Sequence, residues 1–228
     1  MSIEIEYQRI SSVKTKIKDK IKSMGVDIND TVSLEEYPAY IKSIPVNAIV
    51  NIIEQGNVPD TITIPDGVTN VGSCRFYEYS NLVNIIIPTS VTSIGSGAFE
   101  NCPKLALTSL PDSIASIGYT AFQNDRSLAL TSLPSGVASI YDGAFNNCKS
   151  LVLTSLPSGI TYLGYGAFGN CTSLTALIFE GTPKTIASSA FSGCTSLTTI
   201  NVPWAEGAVA NAPWGATNAT INYNYAGG

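Results

Sequence analysis

Apolar positions along this chain recur with one long period. Phenylalanine stands at Phe76, Phe99, Phe122, Phe145, Phe168 and Phe191, always at the same interval of twenty-three positions. A leucine follows each by six positions, from Leu82 to Leu197, and a proline by twelve, except where Glu180 replaces it. An isoleucine or leucine lies eighteen positions after the first five, at Ile94, Ile117, Ile140, Leu163 and Ile186. A fixed period of this length makes each repeat one coil of a solenoid, which buries its apolar face by stacking on its neighbours. Within a coil, alternation such as Ile200 and Val202 in LTTINV predicts a short strand with side chains two apart pointing inward. The proline then turns the chain out of the ladder. Stacked in register, the phenylalanines form an axial spine.

Both ends depart from this period. Ile10, Val13, Ile17, Ile21 and Met24 recur at three and four positions, the stripe of an amphipathic helix. Lysines crowd its last turns and Gly25 supplies the stop. Leu34, Tyr37, Ile41 and Ile44 form a second stripe, opened by a capping box at Ser33 and Glu36 and ended by Pro45. Two short helices with one apolar face each predict either a hairpin docked on the first coil or an oligomerisation element. At the other end Trp214 follows Phe191 at the same repeat interval, in the phenylalanine slot. Trp204 and the run ATINYNY are expected to cover the open end of the stack, whose last strand would otherwise present unpaired backbone groups. Three segments result: a helical attachment or oligomerisation element at 1–45, a solenoid at 46–203 and a capping coil at 204–228.

Composition excludes several classes of function. Charged residues make up 13 % and hydrophobic residues 44 %, enough for a core and too little charge for a disordered chain. No run of eighteen apolar residues suggests membrane insertion, and the alternating charges of the N-terminus do not read as a signal peptide. Residues 1–24 hold six basic residues against three acidic ones in a chain of net charge −5. No aromatic residues interleave with these lysines, so nucleic acid is not the expected partner; an acidic protein or a solvated helix face accounts for them. The chain has no histidine, no C-x-x-C pair and no Gly-rich phosphate loop. Its carboxylates do not recur at one repeat position, so no acid–base pair is assigned. The expectation is a protein without catalytic activity, metal or cofactor.

The repeat reads IPxxVTSIGxxAFxNCxSLxxL, and its tandem Ala-Phe-x-x-Cys-x-x-Leu resembles the BspA-like class of bacterial leucine-rich repeats. That resemblance implies a coil with one short strand in a parallel sheet, a turn, and a second short strand or tight helical turn. The expected fold is therefore a mainly-β, leucine-rich-repeat-like solenoid of about seven coils, preceded by a small helical element. The N-terminal run is similar to a helical module of bacteriophage tail-associated proteins, through Gly25, Val26, Ile28, Tyr37, Ile41 and Ile44. The C-terminal Val-Pro-Trp…Trp-Gly-Ala…Ile-Asn-Tyr run resembles phage and gut-bacterial members of the repeat class. These likenesses imply a binding or structural protein of a phage tail, located in the virion. It would be held by other tail proteins or by self-association through 1–45, and would present its solenoid to a protein or glycan receptor. The alternative they imply is a bacterial surface adhesion protein that binds other proteins.

Candidate contact residues are few. Tyr119 and Tyr165 share one repeat position, and Tyr141 with Asp142 lies beside it on the coil between. Tyrosines in a row stack on sugars or anchor a protein partner; equally, they shield the turn edge of the stack. Arg126 and Lys149 occupy equivalent positions and would suit an acidic group. In the three middle repeats Thr108, Thr131 and Thr154 stand where Ile85, Leu177 and Ile200 stand elsewhere, and Leu107, Leu130 and Leu153 come one position early. With an unchanged register those leucines form an exposed binding stripe; with a bulge they are core. Cys102, Cys148, Cys171 and Cys194 each follow a phenylalanine by three, with Asp125 in the missing place. A column of small buried thiols is expected there.

Overall fold

The computed structural model describes residues 60–226. The chain divides into two compact units, Met1–Ile64 and Pro65–Gly228. The described part of the first contains strand β1 (Thr61–Thr63), with Ile62 buried between two exposed threonines. Both expected N-terminal helices, with Ile10, Val13, Ile17, Ile21 and Met24, lie outside the described residues.

The second unit is a mainly-β solenoid, and no helix occurs among the described residues. Its first strands are β2 (Asn70–Val71), β3 (Asn84–Ile86), β4 (Ser93–Ile94), β5 (Ser116–Ile117) and β6 (Ser139–Ile140). Then come β7 (Ser155–Leu156), β8 (Tyr162–Leu163), β9 (Ala176–Phe179), β10 (Thr185–Ile186), β11 (Thr199–Asn201) and β12 (Thr220–Asn222). Strands β2, β4, β5, β6, β8 and β10 form one parallel sheet. Each pairs with the next coil at equivalent repeat positions, as Ser93 opposite Ser116 and Ser116 opposite Ser139. These strands are two residues long and bury the second, Ile94, Ile117, Ile140 or Leu163. A second parallel sheet runs β7, β9, β11, β12. The longer sheet is thus the one built from the Ser-Ile positions, and the LTTINV type of strand supplies the shorter one.

The core follows the repeat. Phe76, Phe99, Phe122, Phe145, Phe168 and Phe191 stack with centroids 5.2 to 5.6 Å apart and planes within 11° of parallel. Such spacing is offset stacking, which contributes beyond simple area burial. The N–H groups of the first five phenylalanines also bond to the alanine carbonyl of the next coil, as in Phe122 to Ala144 at 2.8 Å, and that of Phe191 to the Trp214 carbonyl. The turn that follows is ordered by asparagines. Asn101, Asn124 and Asn147 hold φ of 64°, 66° and 62°, a left-handed conformation that asparagine tolerates better than most residues. Their amides form a ladder, Asn147 donating to Asn124 at 2.8 Å and Asn124 to Asn101 at 2.7 Å.

The middle coils correct one expectation. Leu107, Leu130 and Leu153 are buried, so they form no exposed stripe. No residue is inserted; the phase of the inward positions changes. In outer coils the inward side chains are spaced three then two, as in Leu174, Leu177 and Phe179; in middle coils they are spaced two then three, as in Leu128, Leu130 and Leu133. Both patterns span the same stretch of chain, so the coil keeps its length, and the two phases still pair where β7 of the last middle coil meets β9, Ser155 opposite Ile178 and Leu156 opposite Phe179. Where they first meet, the backbone bond is Ala106 N–H to Val83 O at 2.9 Å. A shallow cleft of about 390 Å³ opens there, lined by Asn84, Ile86, Thr108, Ser109 and Pro111 among others.

The C-terminal coil closes the stack differently from the others. Strand β12 pairs with β11 through Thr220 opposite Thr199, two positions short of the repeat interval. Trp214 is fully buried but does not extend the parallel spine. Instead Phe179 meets Phe191 edge-on at 6.3 Å, and Trp204 and Trp214 pack around Phe179 at 5.3 and 6.0 Å.

Candidate functional site

Four tyrosines and one carboxylate gather on the side of the solenoid formed by the longer sheet and its turns. The solenoid period places them. Tyr119, Asp142 and Tyr165 share one repeat position, so they form a column with the carboxylate between two tyrosines on consecutive coils. Tyr141 precedes Asp142 in the chain, with Gly118 and Gly164 at its repeat position on either side. Tyr162 is the first residue of β8, where the neighbouring coils carry Ser139 and Thr185.

Ring geometry joins these columns into one surface. Tyr119 and Tyr141 lie 4.9 Å apart at 39°, and Tyr141 and Tyr162 lie 5.7 Å apart at 47°. Tyr119 and Tyr165 are exposed, at 50 % and 60 %, whereas Tyr141 and Tyr162 are half-buried. Large aromatic rings left this open are available for contact. The reading of these tyrosines as a shield over the turn edge fits the inner pair and not the outer one.

Asp142 is held from one side. Its Oδ1 accepts the Tyr162 hydroxyl at 3.2 Å and the Tyr165 N–H at 3.0 Å. Burial, followed by the adjacent Asp142 carboxylate, raises the Tyr162 pKa from its ordinary value. Glycine at 164 is required for this arrangement, because a Cβ there would collide with Asp142 Oδ1 and with its backbone nitrogen. The neighbouring Glu100 is differently placed: its two oxygens accept from Thr120 Oγ1 at 2.9 Å and Gln123 Nε2 at 3.1 Å.

Other candidates fall elsewhere. Arg126 and Lys149 are exposed on the turn that follows Asp125 and Cys148 and do not join the tyrosines. Cys102, Cys148, Cys171 and Cys194 are buried and free. Each thiol donates to the carbonyl of a phenylalanine on the preceding coil, as Cys148 to Phe122 at 3.0 Å. Burial pushes the Cys102 thiol up to about 12 and Cys194 to about 11, which removes thiolate reactivity. No group of three or more His, Cys, Asp or Glu among the described residues is arranged to hold a metal. Among the described residues no helix is long and apolar enough to cross a membrane.

Tyr162 is the member of this cluster that sequence reasoning missed. Its signal was present: a tyrosine at the serine position of the VTSI strand, one coil after Tyr141.

The fold is that of a leucine-rich repeat solenoid, and the family match agrees. The BspA type leucine rich repeat region matches in six copies, over residues 57–152 and 117–206. The chain belongs to this family. Among solved structures it is similar to a leucine-rich repeat protein of T. pallidum, with 31 % identity and a TM-score of 0.56 over 64 % of this chain and 73 % of that one. A leucine-rich repeat protein from Bacteroides ovatus is 32 % identical, with a TM-score of 0.53 over 62 % of this chain and 39 % of that one. The pneumococcal vaccine antigen PcpA shares the fold at 20 % identity and a TM-score of 0.53, over 73 % of this chain and 42 % of that one. Among curated proteins none matches the sequence.

Proposed function

We propose that this chain is a non-catalytic binding protein, and that the tyrosine flank of coils carrying Tyr119, Tyr141, Asp142, Tyr162 and Tyr165 is its contact surface. The observation that carries this reading is the exposure of Tyr119 and Tyr165 on either side of Asp142. Rigid aromatic side chains lose little entropy on binding and dominate the energetics of interfaces. The solenoid fixes their spacing, so the surface is organised before a partner arrives. Membership of the repeat family is consistent with a protein displayed at a bacterial surface, and that is the setting we favour. The tail-associated role rests on resemblances in 1–45 and at the C-terminal end, and the binding reading does not depend on it.

The test is an array of purified glycans and extracellular proteins probed with the full chain and with a Tyr119→Ser/Tyr165→Ser variant. Partners that bind the parent and fail to bind the variant support the reading. Partners that bind both equally place the contact surface elsewhere.

A further inference from the structure

This inference rests on the binding reading above and names the chemistry of the partner. The four coil segments of the flank, 93–101, 116–124, 139–147 and 162–170, contain two charged residues, Glu100 and Asp142, and neither lysine nor arginine. Glu100 has an acceptor bond on each oxygen. Asp142 uses Oδ1 for both of its bonds, and among the described residues neither its Oδ2 nor its charge has a partner. A carboxylate anchored on one side, open on the other and bracketed by exposed aromatic rings is complementary to a cation. The whole chain, at net charge −5, attracts a basic partner in the same sense.

Shape selects among cations and against neutral ligands. The tilts of 39° between Tyr119 and Tyr141 and 47° between Tyr141 and Tyr162 keep the rings from forming one continuous flat platform for a sugar. A neutral sugar would also leave the Asp142 charge unmatched. A planar guanidinium lies against a tyrosine ring and at the same time donates to a carboxylate oxygen, which an ammonium does less well.

We propose that the column Tyr119–Asp142–Tyr165 receives an arginine side chain of a protein partner, which donates to Asp142 Oδ2 and stacks on the flanking tyrosines. The test uses fluorescence anisotropy of the full chain with a labelled peptide of three arginines separated by glycine and serine. A second peptide carries citrulline, the neutral isostere, at the same three positions. The arginine peptide is expected to bind at least about tenfold more tightly than the citrulline peptide. Asp142→Asn keeps the acceptor for Tyr162 and Tyr165 and is expected to weaken arginine binding at least about fivefold. Tyr119→Ser/Tyr165→Ser is expected to do the same, and Asp112→Asn, at an exposed acid off the flank, to leave binding unchanged. Absence of arginine-peptide binding, equal binding of citrulline, or equal losses from Asp112→Asn and Asp142→Asn would overturn the proposal. A glycan or protein partner that is lost with the tyrosine pair but indifferent to Asp142→Asn would also overturn it while leaving the binding surface in place. Partners that ignore both variants remove the binding reading itself.

Discussion

Cys102 donates its backbone N–H to Oδ1 of Asp125 at 2.7 Å, and the other carboxyl oxygen of Asp125 is buried without a partner. Asp125 occupies the slot that cysteine fills on four other coils and is fully buried. Burial is the main cause that raises its pKa from 3.8 to about 9, opposed by the Cys102 bond and reinforced by Glu100. At neutral pH the folded chain therefore holds on this carboxyl a proton that the unfolded chain releases. Between pH 3.8 and about 9 the unfolded state binds fewer protons, so stability falls as pH rises. The limiting slope for one proton is about 1.4 kcal/mol per pH unit. Asp125→Cys is expected to stabilise the fold at pH 8 and to flatten this slope. Urea denaturation at several pH values checks it; an unchanged slope refutes the assignment.

Replacing a central ring of the spine removes stacking on both sides. Phe145→Ala is expected to cost about 3–5 kcal/mol. Phe191→Ala, at the end where the parallel stack stops, is expected to disturb the tryptophan cluster as well. Chemical denaturation monitored by tryptophan fluorescence distinguishes the two, because only the second alters the native emission.

The phase of the middle coils has a direct assay. Leu130 is fully buried and Thr131 exposed. Leu130→Ala is expected to cost about 2–5 kcal/mol, and Thr131→Ala to stay within about 0.5 kcal/mol. Equal, small effects would restore the exposed stripe.

The asparagine ladder separates two contributions at one residue. Asn124→Ala loses both the tolerance for φ of 66° and the two amide bonds, whereas Asn124→Gly keeps the backbone conformation and loses the bonds. Alanine is expected to be the more damaging, by about 1–2 kcal/mol. Thermal melts of the two variants provide the comparison.

The thiols should divide sharply. Cys74 is exposed and the other four cysteines are buried. A disulfide-exchange reagent is expected to modify one thiol in the folded chain and all five after denaturation. Rapid modification of more than one under native conditions would contradict the thiol-to-carbonyl bonds.

The period of Phe76 to Phe191 made the solenoid, the spine and the cysteine column legible from residues alone, because stacking converts a fixed interval into contact. It also placed Tyr119, Asp142 and Tyr165 in one column. The position of Leu130 was harder. The spacings two-then-three and three-then-two obey the same period and enclose the same length of chain. Following the pattern to Leu110, Leu133 and Leu156 would have separated them. Trp214 occupies the phenylalanine slot in the count, but its carbonyl accepts the Phe191 N–H at 2.9 Å, the bond an alanine takes on the other coils, so it sits one place off the phenylalanine register. The state of Asp125 was not readable, since an aspartate in a cysteine slot is ordinary on a surface and costly in a core; depth decides which. The unpaired oxygen of Asp142 depends on where Tyr162 and Tyr165 aim their donors, a matter of folded geometry that no spacing encodes.

The change of phase between outer and middle coils also bears on how such a chain lengthens. Duplication of any coil extends the longer sheet, whose strands keep one register through both phases. Insertion of an outer-type coil among the middle ones changes the shorter side alone, where β7 and β9 show that the two phases can pair. The array is therefore expected to lengthen by coils of either phase, with the longer sheet as their common scaffold.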